Sequence, residues 1–190
     1  MLTKKKRQEY LKALGYYTGK IDGIVGAKTK AAYKALQKDY FTRDKDIDGI
    51  YGKNTDILLQ NAYNVKTYCK NFELHEFKCG CGGKHCTGYP ELLNVQLLKN
   101  LQALRNKFGA TIITSGLRCK KHNSSLAGSS TTSRHLKGKA LDIKNNTSRT
   151  TGGRLDIMAF WKKQPKQRYS YCNLGNSNPN MGTAVHVDVK

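Results

Sequence analysis

Apolar residues recur along this chain with two different periods, and the change between them divides it. The first third has helical spacing. A helix is expected from Lys5 to Leu14, stopping at Gly15, a residue suited to a left-handed cap. Ala32, Ala35 and Leu36 then form one apolar stripe, and Ile57, Leu58 and Ala62 form another. Asn64 to Asn71 reads as a polar connector. Helical spacing returns in Leu93, Leu97, Leu101 and Leu104, on a segment expected to run from Pro90, a favoured first-turn residue, to Phe108 before Gly109. Leu155, Ile157, Met158 and Trp161 indicate a shorter helix within Arg154 to Lys163.

The later part alternates instead. Thr111 to Ser115 reads as a strand. In Lys139 to Lys144, alternation puts Ala140 and Asp142 on one face and Leu141 and Ile143 on the other. In Thr183 to Val189 it groups Ala184, His186 and Asp188 against Val185, Val187 and Val189. His135 stands just before the first of these two strands, on a turn containing Gly138. Cys119 to Arg134 and Gly175 to Thr183 are rich in small polar residues and read as surface loops; the first leads to His135 and could form a cleft rim. Elements in this order indicate a small helical domain, residues 1–66, followed by an α+β domain, residues 72–190, with a central antiparallel sheet.

The helical part contains a repeat. Asp22-Gly-Ile-Val-Gly-Ala-Lys-Thr29 recurs, 26 positions on, as Asp48-Gly-Ile-Tyr-Gly-Lys-Asn-Thr55. Each copy has the chemistry of a turn feeding a helix: Asp-Gly bends the chain, the second glycine permits an unusual backbone angle, and Thr or Asn is expected to cap the helix after it.

Composition adds one strong feature. The 190 residues can bury a real core, and 38% hydrophobic content is ordinary, but 34 Lys and Arg stand against 13 acids, a net charge of +21. Such a field favours a polyanionic partner, whether nucleic acid, an anionic cell wall or a membrane surface. No helix-turn-helix, finger or aromatic RNA-binding pattern is visible, which weighs against nucleic acid as the partner. The basic start, Met1 to Arg7, is not followed by the apolar stretch of a signal peptide, and no run approaches a membrane span. A chain made in a cytoplasm and released by some other route is the expectation.

Without a secretory signal, six cysteines point to free thiols or metal ligation more than to a disulfide framework. Cys79, Cys81 and Cys86, with His85, share one glycine-rich loop that could hold a structural zinc, although C-x-C-x4-C is not a standard finger spacing. Reduced thiols or a local bridge are the alternatives.

His135, Asp142 and His186 carry the candidate chemistry. Two histidines and one aspartate are a common ligand set for a catalytic zinc that keeps its fourth position open. Read as motifs, Ser133 to Asp142 (S-x-H-x-x-G-x-A-x-D) and Val185 to Asp188 (V-H-x-D) resemble the D-Ala-D-Ala carboxypeptidase and L-alanyl-D-glutamate peptidase family of zinc enzymes, which shares a fold with lysostaphin-type peptidases and hedgehog domains. The resemblance extends through Ser115-Gly-Leu-Arg118 and His122-Asn123 and covers roughly residues 72–190. It implies one catalytic zinc on His135, Asp142 and His186, Arg118 beside the substrate carbonyl or carboxylate, and Asn123 on the substrate side. Many relatives carry an acid three positions before the last zinc histidine, where this chain has Thr183. Asp188 shares a face with His186, about 7 Å along the strand, and is the expected base, a ligand-orienting role being the alternative.

The first repeat, headed by Leu14-Gly-Tyr-Tyr-Thr-Gly-Lys-Ile-Asp-Gly23, resembles the peptidoglycan-binding domain of wall hydrolases; the second is shortened on its N-terminal side. Tyr16, Tyr17 and Tyr51 are the aromatics expected to touch sugar or peptide. Together the resemblances imply a wall-lytic zinc peptidase of the phage endolysin type, bound to peptidoglycan and drawn to anionic wall polymers. A catalytically dead wall-binding protein is one alternative. A basic nucleic-acid-binding protein with a structural zinc is the other.

Overall fold

The computed structural model describes residues 1–190. Three helices come first: α1 (Lys4–Leu14), α2 (Ala27–Tyr40) and α3 (Lys53–Tyr68). α1 ends at Gly15, whose φ of 91° lets its N–H return to the last carbonyls. The two Asp-Gly loops separate the helices, and each wraps a buried glutamine. The Oε1 of Gln8 accepts the Gly23 N–H at 2.7 Å, while its Nε2 donates to Asp22 at 2.9 Å and to the Ile24 carbonyl at 3.0 Å. Gln37 repeats the pattern with Gly49 at 2.7 Å, Asp48 at 2.9 Å and Ile50 at 3.1 Å. The repeat is thus a repeated polar network with its amides satisfied, which is what makes burying them tolerable.

This network corrects two expectations. The left-handed backbone falls on the glycine of each Asp-Gly pair, Gly23 (φ 80°) and Gly49 (φ 73°). The second glycines, Gly26 and Gly52, have ordinary φ and sit at the helix N-caps without a side-chain cap. Thr29 and Thr55 do not cap either; each donates back to the carbonyl of Ile24 or Ile50.

No polar connector separates the two parts. α3 continues to Tyr68 because Ala62, Val65 and Cys69 extend its buried stripe, while Lys66 and Thr67 take the outer face. A single contiguous core runs from Leu11 through α3 to Val189. Asn61 on α3 reinforces it by accepting the Leu93 N–H at 2.8 Å and donating to the Glu91 carbonyl at 3.0 Å.

The next helix, α4 (Val95–Phe108), starts later than Pro90 suggests, because Asn94 is the cap and accepts the N–H groups of Gln96 and Leu97. Then come β1 (Thr111–Ser115), the short α5 (Lys120–Ser124) inside the expected surface loop, β2 (Ala140–Asn145), α6 (Thr151–Lys162), β3 (Gln167–Cys172) and β4 (Val185–Val189). The strands form one antiparallel sheet in the order β1-β2-β4-β3. Leu141, Ile143, Val185, Val187 and Val189 join Leu97, Leu101, Ile157 and Trp161 in the core, so α4 and α6 cover one face of the sheet. The indole N–H of Trp161 donates to the Asp188 carbonyl at 3.0 Å and fixes α6 on β4. The other face carries the polar residues.

Candidate metal centre

Register brings the polar residues together. Asp142 on β2 pairs directly with His186 on β4, and Tyr171 on β3 pairs with His186 from the other side. His135 arrives from a 3-10 turn, Arg134–Lys137, that ends at Gly138 with φ 60°. A side chain at Gly138 would strike the Leu92 carbonyl, so only glycine lets this turn close against the segment before α4.

One carboxylate oxygen is the meeting point. Asp142 Oδ1 lies 2.8 Å from His186 Nδ1 and 3.4 Å from His135 Nε2. The donor atoms of the three residues all fall within 4.8 Å of one another. His135 Nδ1 is 2.8 Å from the Gly116 carbonyl, an oxygen that can only accept, so the proton belongs on Nδ1 and the Nε2 lone pair faces Asp142. That Nε2 is buried and makes no hydrogen bond. An unpartnered buried nitrogen, aimed at a second imidazole and a carboxylate, fits a bound cation with nitrogen and oxygen ligands.

His186 is gripped at both nitrogens. Its Nε2 lies 3.5 Å from Asp188 Oδ2, opposite the nitrogen that faces Asp142. Burial alone would lower the His186 pKa, but hydrogen bonds to Asp142 and Asp188 overcome this and raise it above 6.5. Burial likewise pushes Asp142 up, and the close approach of the His135 and His186 imidazoles outweighs it, leaving the carboxyl well below its ordinary range. Tyr171 stacks on the His186 ring at 4.5 Å between centroids.

The structure also places the other expected site residues. Arg118 donates to Asp142 Oδ2 at 2.8 Å and to Ser115 at 2.9 Å; its Nη1 makes no protein hydrogen bond and the residue lines the cleft. Asp188 is in the site but on the remote side of His186. Its Oδ1 accepts the Tyr169 N–H at 2.9 Å and its Oδ2 the Arg168 guanidinium at 3.2 Å, so a shared strand face does not turn this carboxylate toward His135 and Asp142. Asn123 is buried and ties down its own loop through the Ser130 carbonyl at 2.9 Å, away from the cleft wall.

The helical part also differs from expectation. Tyr17 is buried, with its hydroxyl on the Lys20 carbonyl; Tyr16 bonds Asp39 at 2.6 Å, and Tyr51 bonds Asp56 at 2.6 Å under Arg7. These hydroxyls serve the fold. Tyr51 alone of the three borders a groove, of ≈ 480 Å³, that also includes Val25, Lys30, Lys34 and the exposed Ile50.

A cleft of ≈ 1330 Å³ opens over the centre. Arg118, Arg134, Lys144 and Arg168 line it against only Asp142 and Asp188, both already paired. Sequence reasoning missed β3 and with it Arg168, Tyr169 and Tyr171. The signal was there in the alternation of Tyr169 and Tyr171 with Ser170 and Cys172, but a half-exposed edge strand carries few aliphatics. No helix is long and apolar enough to cross a membrane.

Comparison with known families finds two matches. A model described as Peptidase M15 covers residues 70–172, over half of the chain. A model described as a putative peptidoglycan binding domain covers residues 5–55. Comparison with curated proteins finds no match.

Proposed function

Because the chain belongs to the Peptidase M15 family, whose members are zinc-dependent, we propose that it is a cell-wall peptidase that cuts the peptide stem of peptidoglycan and acts as an endolysin-type enzyme after release from the cell that makes it. The observation that carries this reading is the convergence of His135, Asp142 and His186 around an unpartnered Nε2 at the floor of a basic cleft. The matched stretch stops before His186, so that ligand rests on the V-H-x-D motif and on the β2–β4 register that sets it beside Asp142.

His135, Asp142 and His186 would hold the zinc, which would supply the Lewis acidity that polarises a carbonyl and acidifies water. The protein does the rest. The Gly116 carbonyl fixes the His135 tautomer, and Asp188 accepts the Nε2 proton of His186, holding that ring and strengthening it as a ligand. This positioning role replaces Asp188 as the base. Arg118 orients Asp142 with one edge and offers Nη1 to a carbonyl oxygen or carboxylate of the substrate. Stem peptides are rich in carboxylates, and the surplus of Arg and Lys around the cleft suits them. His122, also on the cleft wall, is the remaining imidazole there that could transfer a proton.

The helical unit, residues 1–66, serves as the wall-binding module and residues 72–190 as the peptidase. The groove around Ile50 and Tyr51, flanked by Lys30 and Lys34, is where we place peptidoglycan contact. The net charge of +21 adds attraction to anionic wall polymers.

Mass spectrometry of muropeptides after digestion tests the reading and names the bond. A missing terminal D-alanine identifies a carboxypeptidase, and a stem cut after L-alanine identifies an endopeptidase. Intact stems after incubation with zinc-loaded enzyme would refute the activity.

A further inference from the structure

Outside the catalytic cleft, the chain gathers a second set of metal-binding side chains. Cys79, Cys81 and Cys86 lie on the glycine-rich loop that follows a 3-10 turn (Leu74–Phe77). They are met by Cys119, the N-cap of α5, which lies 33 residues further along than Cys86. The four sulfurs all fall within 4.8 Å of one another. A zinc ion with four bonds of about 2.3 Å in a tetrahedron sets its sulfurs about 3.8 Å apart. The Cys81–Cys86 separation of 3.5 Å is close to that edge. None of the six cysteines is in a disulfide, and His85, the other donor in the loop, is exposed and stands outside the group.

Two further features fit thiolates on a cation. The Cys119 N–H donates to Cys79 sulfur at 3.3 Å, and the His122 N–H to Cys119 sulfur at 3.5 Å, the kind of backbone support that charged sulfur attracts. The packing points the same way. These sulfurs form a buried cluster of their own, apart from the main core and containing no aliphatic or aromatic side chain. Three or four thiols bury too little apolar area to hold a loop that includes Gly82, Gly83 and Gly88, all at positive φ. A cross-link through the sulfurs would hold it.

We propose that Cys79, Cys81, Cys86 and Cys119 bind a structural zinc ion, separate from the catalytic one, that clamps the glycine-rich loop to the start of α5 and so fixes one wall of the cleft. Cys119 follows Arg118 directly, and His122 packs so closely on Gly80 that a Cβ there would come 3.0 Å from its ring. The same loop touches the helical unit, where the Thr42 N–H reaches the Thr87 carbonyl at 3.4 Å. The clamp therefore sets the position of Arg118 and His122. The site stands on its own geometry and does not depend on the peptidase reading.

The full chain, purified reduced and exchanged into cobalt(II), distinguishes the two centres, because only this one has sulfur ligands. A strong sulfur-to-cobalt charge-transfer band in the near ultraviolet is expected, retained in His186→Ala and lost in Cys119→Ser. Native mass spectrometry should find two zinc ions on the wild type and one on either variant. If Cys119→Ser fails to fold, the wild-type cobalt spectrum still decides. No charge-transfer band, a Cys81–Cys86 disulfide on alkylation mapping, or iron in place of zinc would overturn the assignment. Failure of the peptidase reading would look different: the sulfur-bound ion would remain and the sulfur-free one would be missing.

Discussion

Asp142 and His186 face each other across the β2–β4 ladder, with carboxylate oxygen and Nδ1 2.8 Å apart. Strand register alone sets this pair, so a metal placed there binds two strands of the sheet together. Stability, metal affinity and activity should therefore all respond to the protonation and support of these two side chains.

Asp188→Asn tests whether that residue positions or reacts. As the partner of His186 Nε2, its loss should weaken zinc affinity by about 10–100-fold, with turnover largely restored by excess zinc. Zinc titration monitored by activity separates the cases. A variant that binds zinc like the wild type yet turns over about a hundredfold more slowly at saturation would make Asp188 the base instead.

Stability should depend on pH in opposite senses with and without metal at this site. Without it, the raised His186 pKa contributes stability that is full below about 6.5 and is lost as pH rises through the folded value. The depressed Asp142 contributes above about 3.8 and is lost as pH falls. Zinc needs His186 deprotonated, so its affinity should drop as pH falls through the same raised value. Melting curves of the metal-free wild type against metal-free His186→Gln should show the wild-type advantage shrinking as pH rises above about 6.5. An advantage that grows over that range would contradict the pairing.

Gln37→Leu should destabilise the helical unit. It strips the Gly49 N–H of its partner, and a buried donor left unsatisfied costs about 1–3 kcal/mol. Gln8→Leu should act in the same direction through the Gly23 N–H. Denaturant unfolding of the full chain measures both, and an unchanged midpoint would show that the glutamines do not organise the loops.

Ile50→Asp should reduce pelleting with purified walls while leaving the fold intact, since Ile50 is 65% exposed at the edge of the groove. Binding that survives this change and vanishes with added salt would assign retention to the basic surface instead.

Much of the site was legible in the sequence because alternation is a local property. Once Asp142 and His186 were each assigned to a polar strand face, one antiparallel pairing sufficed to join them. Depth within that face was not legible. Asp188 looked as available as His186, and only the β3 bulge that brings the Tyr169 N–H and Arg168 onto it directs its carboxylate elsewhere. Cys119 escaped the cysteine reading because its partners lie on a distant loop. Tyr17 misled for a related reason: aromatics beside turns suggest contact surfaces, yet this one is buried against Gln8. The connector misled through its polar outer face, which concealed the stripe of Ala62, Val65 and Cys69.

The most direct measurement counts new amino termini released from purified peptidoglycan by the full chain before chelation, after chelation and after zinc is restored, alongside His186→Ala. Release should stop on chelation, return with zinc, and be lost in the variant by about a hundredfold or more, on the order expected when the metal that activates water is gone. Undiminished release from His186→Ala at saturating zinc would contradict the three-residue zinc centre.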